Sequence, residues 1–95
     1  MSYAVIRTYS GTGAKELFDL LERRKSDVDG LMRSIEGFES YALIRTADGG
    51  TTVTVCQDKA GTDESSRRAA DWVRENVSAS GVAPTISEGT TAAQF

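Results

Sequence analysis

The sequence contains no histidine, only one cysteine and only one proline. Histidine is the side chain whose ordinary pKa suits proton transfer near neutral pH, so its absence argues against the Ser-His and Cys-His nucleophile schemes of many hydrolases. With Cys56 as the single cysteine, neither an intrachain disulfide nor a thiolate metal cage can form, which is typical of a reducing compartment. We therefore expect a cytoplasmic protein in which Cys56 is a small buried side chain.

Several partner classes are also disfavoured. The chain has no nucleotide loop and too few clustered ligands for a metal site, so we expect no metal, haem or flavin cofactor. No apolar run approaches the roughly 20 residues of a membrane span, and the first residues do not form a basic, apolar secretory leader. The net charge is −3, whereas nucleic-acid binding depends on clustered Lys and Arg. The sequence therefore predicts neither a membrane nor a nucleic acid as partner.

The first part of the chain predicts a strand followed by a long helix. Residues 3–9 alternate as in a strand and carry apolar groups on both faces. From Ala14 to Ile35 the apolar residues recur at spacings of three, four and seven, which predicts one amphipathic helix with a kink or restart at residues 26–27. Gly37 follows at the point where the end of a helix needs a residue with positive φ.

The second part predicts two strands, a helix and a last strand. The two strands flank a glycine-containing connection at residues 47–50, which makes them antiparallel neighbours. After a loop at residues 58–61, Thr62 or Asp63 is predicted to cap the second helix. Pro84 confines the final segment to an edge strand, because proline cannot donate a ladder hydrogen bond.

This β-α-β-β-α-β order predicts a single α+β domain over residues 1–95, with the ferredoxin-like arrangement of a four-stranded antiparallel sheet and two helices on one face. The strands at residues 3–9 and 41–45 carry apolar side chains on both sides. The helix-free face would then expose a large apolar patch in a monomer. We expect a second copy of the chain to cover it, in a homodimer formed through the sheet faces.

Four segments give the chain a family resemblance: Ile35-Glu36-Gly37-Phe38, Ala42-Leu43-Ile44-Arg45 with Asp48-Gly49, Val53-Thr54-Val55-Cys56-Gln57-Asp58, and Pro84-Thr85-Ile86-Ser87-Glu88-Gly89. Together with element order and length, they make nearly the whole chain resemble the dimeric α+β barrel superfamily, and within it the small antibiotic-biosynthesis-monooxygenase-like proteins. The resemblance implies a dimer in which two sheets pack together, and a ligand cleft between helices and sheet in each subunit. It constrains fold more than function, because the superfamily includes cofactor-free oxygenases, haem-degrading enzymes and isomerases.

The family's functional residues are only partly matched. Haem-degrading relatives combine a histidine iron ligand with an Asn and a Trp; this chain has Trp72 and Asn76 but no histidine, which argues against haem degradation. Cofactor-free oxygenases place Asn, Trp and Tyr around an aromatic substrate. Tyr9 and Trp72 are the conceivable counterparts here, but the first strand contains no Asn.

The predicted ligand site lies between the inner faces of the helices and the sheet, and it draws on Tyr9, Phe18, Tyr41, Arg45 and Trp72. Small-molecule sites are typically apolar with a few polar groups that orient the ligand. Two structural alternatives to a ligand-binding role stay open: Trp72 has the helical spacing of a core residue, and Arg45 can extend to solvent. No catalytic residue is assigned.

Two functions remain. The first is a small homodimer that binds a small molecule, with aromatic ligands as the leading class, and has no assigned activity. The alternative is a cofactor-independent monooxygenase acting on an electron-rich aromatic or polyketide-like substrate. The missing Asn and His favour the first, so whether the protein is an enzyme stays open.

Overall fold

Four strands and three helices form the fold in a computed structural model that describes residues 2–77 and 82–95. The elements are β1 (Tyr3–Ser10), α1 (Ala14–Arg23), α2 (Lys25–Arg33), β2 (Phe38–Thr46), β3 (Gly49–Cys56), α3 (Lys59–Asn76) and β4 (Thr85–Thr90). The strands form an antiparallel sheet in the order β2-β3-β1-β4, so β2 and β4 are its edges. The predicted ferredoxin-like α+β fold is confirmed.

The helices pack on one face of the sheet, which we call the inner face. Val5, Arg7 and Tyr9 of β1 are buried there, whereas Ile6 between them is 39% exposed on the opposite face. Directly opposed residues of neighbouring strands share a face, and β1 pairs Val5 with Thr54 and Arg7 with Thr52. The inner face of the two central strands is therefore a mixture of apolar, hydroxyl and cationic side chains.

The first helical segment is two helices, although the spacing predicted one. The break falls at Arg24, whose φ of −112° and ψ of 31° leave the helical region. Its guanidinium donates to Asn76 Oδ1 at 2.5 Å and to Asp27 Oδ2 at 2.8 Å, and it lies 5.3 Å from the ring centroid of Trp72. The contacts with α3 thus place the break just before residues 26–27, where the sequence favoured it.

The start of α3 differs from the prediction. The expected N-cap at Thr62 or Asp63 is wrong, because Asp58 is the cap and its Oδ1 accepts a hydrogen bond from the Gly61 backbone N–H at 3.1 Å. Residues 59–61, expected in a loop, therefore form the first turn. Gly61 is required there since a Cβ would lie 2.8 Å from the Cβ of Cys56, which is itself fully buried as predicted.

The hairpin between β2 and β3 is also tighter than predicted. Only Ala47 and Asp48 lie between the strands, and Gly49 and Gly50 are the first residues of β3. The ring of Phe18 from α1 lies directly over Gly50, where a Cβ would collide with it. These glycines therefore allow α1 to pack against the sheet, in addition to closing the turn.

The main core lies beneath α1 and α2. Its buried members are Tyr9, Ala14, Leu17, Phe18, Leu21, Val28, Met32, Ile35 and Cys56. The rings of Tyr9 and Phe18 meet edge to face with their centroids 5.7 Å apart, an arrangement that the quadrupoles of aromatic rings favour. Within the described part of the chain, no helix is both long enough and apolar enough to cross a membrane.

Gly50→Ala should lower the free energy of unfolding by about 1–3 kcal/mol, because the added methyl overpacks the site of the Phe18 ring. Gly30→Ala is the matched control. Gly30 lies in the exposed part of α2 with nothing within 4 Å of an added Cβ, so this change should raise stability by about 0.5–1 kcal/mol. Urea unfolding measures both, and equal midpoints for wild type and Gly50→Ala would contradict the packing of Phe18 on β3.

Candidate functional site

Three of the predicted site residues, Tyr9, Tyr41 and Trp72, meet at a small cavity between the inner face and the helices. We call it the inner cavity, and its lining is Arg7, Tyr9, Leu17, Leu21, Val28, Leu31, Met32, Tyr41, Thr52, Ala69, Trp72 and Val73. The free volume is about 20 Å³. That is room for one water molecule but not for an aromatic ring.

The other two predicted residues lie elsewhere. Phe18 is fully buried and supports the ring of Tyr9, but it does not line the inner cavity. Arg45 lies near the end of β2 on the side of the helices, where its Nη2 donates to Asp19 Oδ1 of α1 at 2.7 Å and also contacts Glu22. Its side chain is 36% exposed, so Arg45 is a surface ion-pair residue in this structure.

The central polar residue of the inner cavity is Arg7, which the sequence did not single out. It is 1% exposed and is the largest of the fully buried side chains in the described chain. Its Nη1 donates to Thr52 Oγ1 and Thr54 Oγ1, both at 3.1 Å, and its Nη2 donates to Ser65 Oγ at 2.7 Å. These three hydroxyls are neutral, so they orient the guanidinium without neutralising its charge.

Two further observations define the state of Arg7. Its Nε is buried and has no hydrogen-bond partner. Over residues 2–77 and 82–95, no carboxylate oxygen lies within 4.0 Å of its nitrogens, since none of the ion pairs found there includes Arg7. A buried cation is normally paired. Arg7 is therefore an oriented, uncompensated positive charge beside the inner cavity.

The local sequence explains how this charge comes to be buried. Strand alternation places residue 7 on the same face as Val5 and Tyr9, and the antiparallel register brings Thr52 directly opposite it. The signal was present in the sequence as a cation in the middle of an inward-facing set. Strand alternation by itself predicts burial for the apolar members of such a set, and not for a cation among them.

Burial also changes the titration of the groups around Arg7. It lowers the pKa of Arg7 from its ordinary value, although a guanidinium is too basic to lose its proton near neutral pH. It raises the pKa of Tyr9, and it raises that of Tyr41 to about 12 in spite of the opposing effect of Arg7. Both phenols therefore stay protonated at neutral pH and the cavity keeps a positive charge.

A much larger groove lies on the outside of the same wall. This outer groove, between α2 and β2, has a volume of about 720 Å³ and is lined by Glu22, Lys25, Ser26, Val28, Asp29, Met32, Arg33, Phe38, Glu39, Ser40, Tyr41 and Leu43. Val28, Met32 and Tyr41 line both the groove and the inner cavity. These three side chains thus form the partition between them.

Trp72 has two different neighbours. It lines the inner cavity, and its ring also lies beneath the guanidinium of Arg24. Cation–π contacts of this kind stabilise the ring position. Trp72 is therefore both a packing residue that ties α3 to the start of α2 and a wall of the cavity. Among the described residues, no group of three or more His, Cys, Asp or Glu side chains could hold a metal ion.

The opposite side of the sheet, which we call the open face, carries exposed apolar side chains. Ile6 is 39% exposed and Ile44 is 45% exposed, and the register places Val53 between Ile6 and Ala42 on this face. The middle of β3 is thus inverted relative to a sheet with one solvent-exposed side: Val53 and Val55 face outward, while Thr52 and Thr54 face the helices. An exposed apolar surface of this kind is typical of an interface.

A scan against protein-family models finds no match, and a search of the curated proteins finds none either. Solved structures do match. A protein of unknown function from Nitrosomonas europaea has a TM-score of 0.68 at 13% identity, covering 99% of this chain and 91% of that one. A candidate antibiotic biosynthesis monooxygenase from Chloroflexus aurantiacus has a TM-score of 0.65 at 13% identity, with 100% and 97% covered.

SnoaB, a cofactor-independent oxygenase from Streptomyces nogalater, has a TM-score of 0.59 at 17% identity, covering 99% of this chain and 95% of that one. At such identities the likeness establishes the fold alone. The chain therefore shares the fold of these solved structures, among them antibiotic-biosynthesis-monooxygenase-like proteins.

Tyr41 should make the stability of the protein fall at high pH. Its phenol has an ordinary pKa of 10.0 that burial raises to about 12, so between these values the folded chain keeps a proton that the unfolded chain has lost. This contribution is complete below pH 10 and is lost as the pH rises to about 12. We expect the free energy of unfolding of wild type to fall over this range by about 3 kcal/mol more than that of Tyr41→Phe.

Urea unfolding across this pH range, followed by the fluorescence of Trp72, measures the effect. Tyr3→Phe is the control. The pKa of Tyr3 is also raised, by desolvation and by its hydrogen bond to Glu88, but Tyr3 lies outside the inner cavity, so this variant should keep the part of the decline that Tyr41 causes. A Tyr41→Phe protein that loses as much stability as wild type over the same range would contradict the buried position of the Tyr41 phenol.

Proposed function

We propose that this protein is a homodimer that binds a small aromatic molecule between its helices and its sheet. The observation that carries the proposal is the convergence of Tyr9, Tyr41 and Trp72 on one cavity that also contains a buried cation. Ligand sites combine apolar and aromatic walls with a few polar groups that fix orientation. The inner cavity has this composition at small scale.

Ligand entry requires the partition to move. The inner cavity, at about 20 Å³, is too small for an aromatic ring, whereas the outer groove, at about 720 Å³, is within the range of small-molecule sites. Met32 is an unbranched, flexible side chain that can adopt other rotamers at low cost. Displacement of Met32 and Tyr41 would join the two spaces, with Trp72 and Arg7 at the inner end.

The open face supports the dimer. Its isoleucines and valines would stay in water in a monomer, and the family resemblance implies a dimer built from two packed sheets. A second copy placed on this face should bury on the order of 1,200–2,000 Å² in total. Dimerisation would thus use one side of the sheet and ligand binding the other.

A second candidate is a cofactor-independent monooxygenase acting on an electron-rich aromatic or polyketide-like substrate. The fold is that of SnoaB, which is described as a cofactor-independent oxygenase. The specific observation that favours this candidate is the uncompensated charge of Arg7, because a fixed cation stabilises a substrate anion that could deliver electrons to oxygen. Oxygen uptake with anthrones and electron-rich phenols distinguishes this enzyme from a binding protein.

An aromatic ligand should report its binding through Trp72, the only tryptophan. We expect 2-naphthol to change the fluorescence of Trp72 saturably and cyclohexanol to leave it unchanged, because stacking requires a ring. Val28→Phe should block the effect by filling the partition. Val77→Phe is the matched control, since Val77 packs against the core without lining either space.

Calorimetry with the same ligands gives an independent affinity, and thermal melting verifies that both Phe variants are folded. If no aromatic compound changes the fluorescence of Trp72 and none gives a heat of binding, the ligand-binding proposal is refuted and Trp72 is a packing residue.

The dimer should depend on the open face. Sedimentation equilibrium at micromolar concentration should give twice the 10.2 kDa mass of the chain. Ile44→Lys should produce a monomer, because a charge buried in an apolar interface loses its hydration without a partner. Ile86→Lys is the control: Ile86 is equally exposed, at 48% against 45%, but shares the inner side of the sheet with Arg7. A wild-type species of 10.2 kDa alone would end the proposal.

A further inference from the structure

We propose that Arg7 is an anion receptor, and that the ligand of the inner cavity is a small aromatic anion carrying a carboxylate or an ionised phenol or enol. This inference rests on the proposed function, since it specifies the chemical class that the same cavity would accept. The observation behind it is a cation that is fully buried, held in place and left without a counter-ion.

The contrast with the other arginines is informative. Six of them pair with a carboxylate at the surface: Arg24, Arg33, Arg45, Arg67, Arg68 and Arg74. The arginine that would gain most from a carboxylate is the buried one, because an unpaired charge loses its hydration in the interior and attraction is strongest there. Arg7 is the one that packs only against hydroxyls.

The hydrogen bonds of Arg7 leave a defined place for an anion. Thr52, Thr54 and Ser65 accept from the two terminal nitrogens, while the buried Nε has no acceptor. A guanidinium has five N–H donors in a fixed plane and binds a carboxylate or phenolate oxygen through donors of this kind. Because the hydroxyls already hold that plane, little reorganisation is needed when an anion arrives.

The surroundings of Arg7 select an aromatic anion over a small inorganic one. Tyr9, Tyr41 and Trp72 supply ring surfaces, and the remaining lining is mostly aliphatic. Both phenols remain protonated at neutral pH, so they can donate hydrogen bonds to an anion and do not compete with it for Arg7. Tyr41 also borders the outer groove, which gives the ligand an entrance from the α2–β2 side.

A purely structural role would also explain the three hydroxyl contacts, since they connect β1, β3 and α3. The two roles differ in charge selectivity. An arginine that only joins elements does not distinguish an anion from its neutral isostere in the cavity, whereas a receptor does. The test therefore compares pairs of ligands that differ in charge and have nearly the same shape.

The first arm compares 2-naphthoate with 2-naphthamide by calorimetry and by Trp72 fluorescence on the full chain. Wild type should bind the carboxylate about tenfold more tightly or better, as expected when a charge-assisted hydrogen bond replaces a neutral one. The ratio should fall to about one in Arg7→Met, which keeps the volume of the aliphatic stem and removes the charge. Arg7→Lys should keep part of the preference, because it retains the charge and loses the planar fork.

Arg45→Met is the matched control, since Arg45 lies on the outer surface in ion pairs with Asp19 and Glu22. It should leave the preference of wild type unchanged. The second arm uses 4-nitrophenol, whose phenolate absorbs visible light. Excess protein should shift the ionisation of this ligand toward the phenolate, and Arg7→Met should abolish the shift.

Selectivity in the first arm alone supports carboxylates as the ligand class, and a shift in the second arm alone supports phenolates or enolates. Equal binding of 2-naphthoate and 2-naphthamide, with no shift of 4-nitrophenol, overturns the receptor role and leaves aromatic binding intact. If neither these compounds nor 2-naphthol binds, the proposed function is overturned as well. The wild-type comparison stands even if Arg7→Met fails to fold.

Discussion

The contact between the Arg7 guanidinium and three hydroxyls joins the two central strands to α3. A charge in the interior of so small a domain requires acceptors around it, and this requirement explains the composition of β3. Thr52 and Thr54 face the helices, where valine would normally be favoured. Val53 and Val55 then occupy the other side, so the chemistry of the cavity and the apolar side chains of the open face follow from one constraint.

Local signals in the sequence were sufficient for the architecture. Alternation in the strands, helical spacing and the position of Gly37, which has a φ of +82°, each depend on a few neighbouring residues. The predictions that were wrong concern features that depend on contacts between distant residues. The break at Arg24 is fixed by Asn76 and Trp72 of α3, and the early start of α3 depends on a glycine that fits against Cys56.

The candidate site was predictable to the extent that its residues follow from element order. Tyr9, Tyr41 and Trp72 meet because their strands and helix are neighbours in this topology. Arg45 shares a face with Tyr41 but lies four residues further along β2, roughly 13 Å away, where it meets carboxylates of α1. Position along the strand therefore decides that Tyr41 lines the inner cavity and that Arg45 does not. Residue type alone does not make this distinction.

The inversion of β3 has a consequence for the accuracy of strand pairing. A slip of one residue in β3 would turn Val53 and Val55 toward the helices and the threonines toward water, which resembles the pattern of an ordinary half-exposed sheet. If hydrophobic burial alone decided the pairing, the slipped alignment of β3 would therefore be favoured in a single chain. The slipped pairing would, however, remove the Thr52 and Thr54 hydroxyls from the buried guanidinium of Arg7 and leave Ser65 as the only one of its three present acceptors. The hydrogen bonds of Arg7 thus fix the alignment of the two central strands within a single chain.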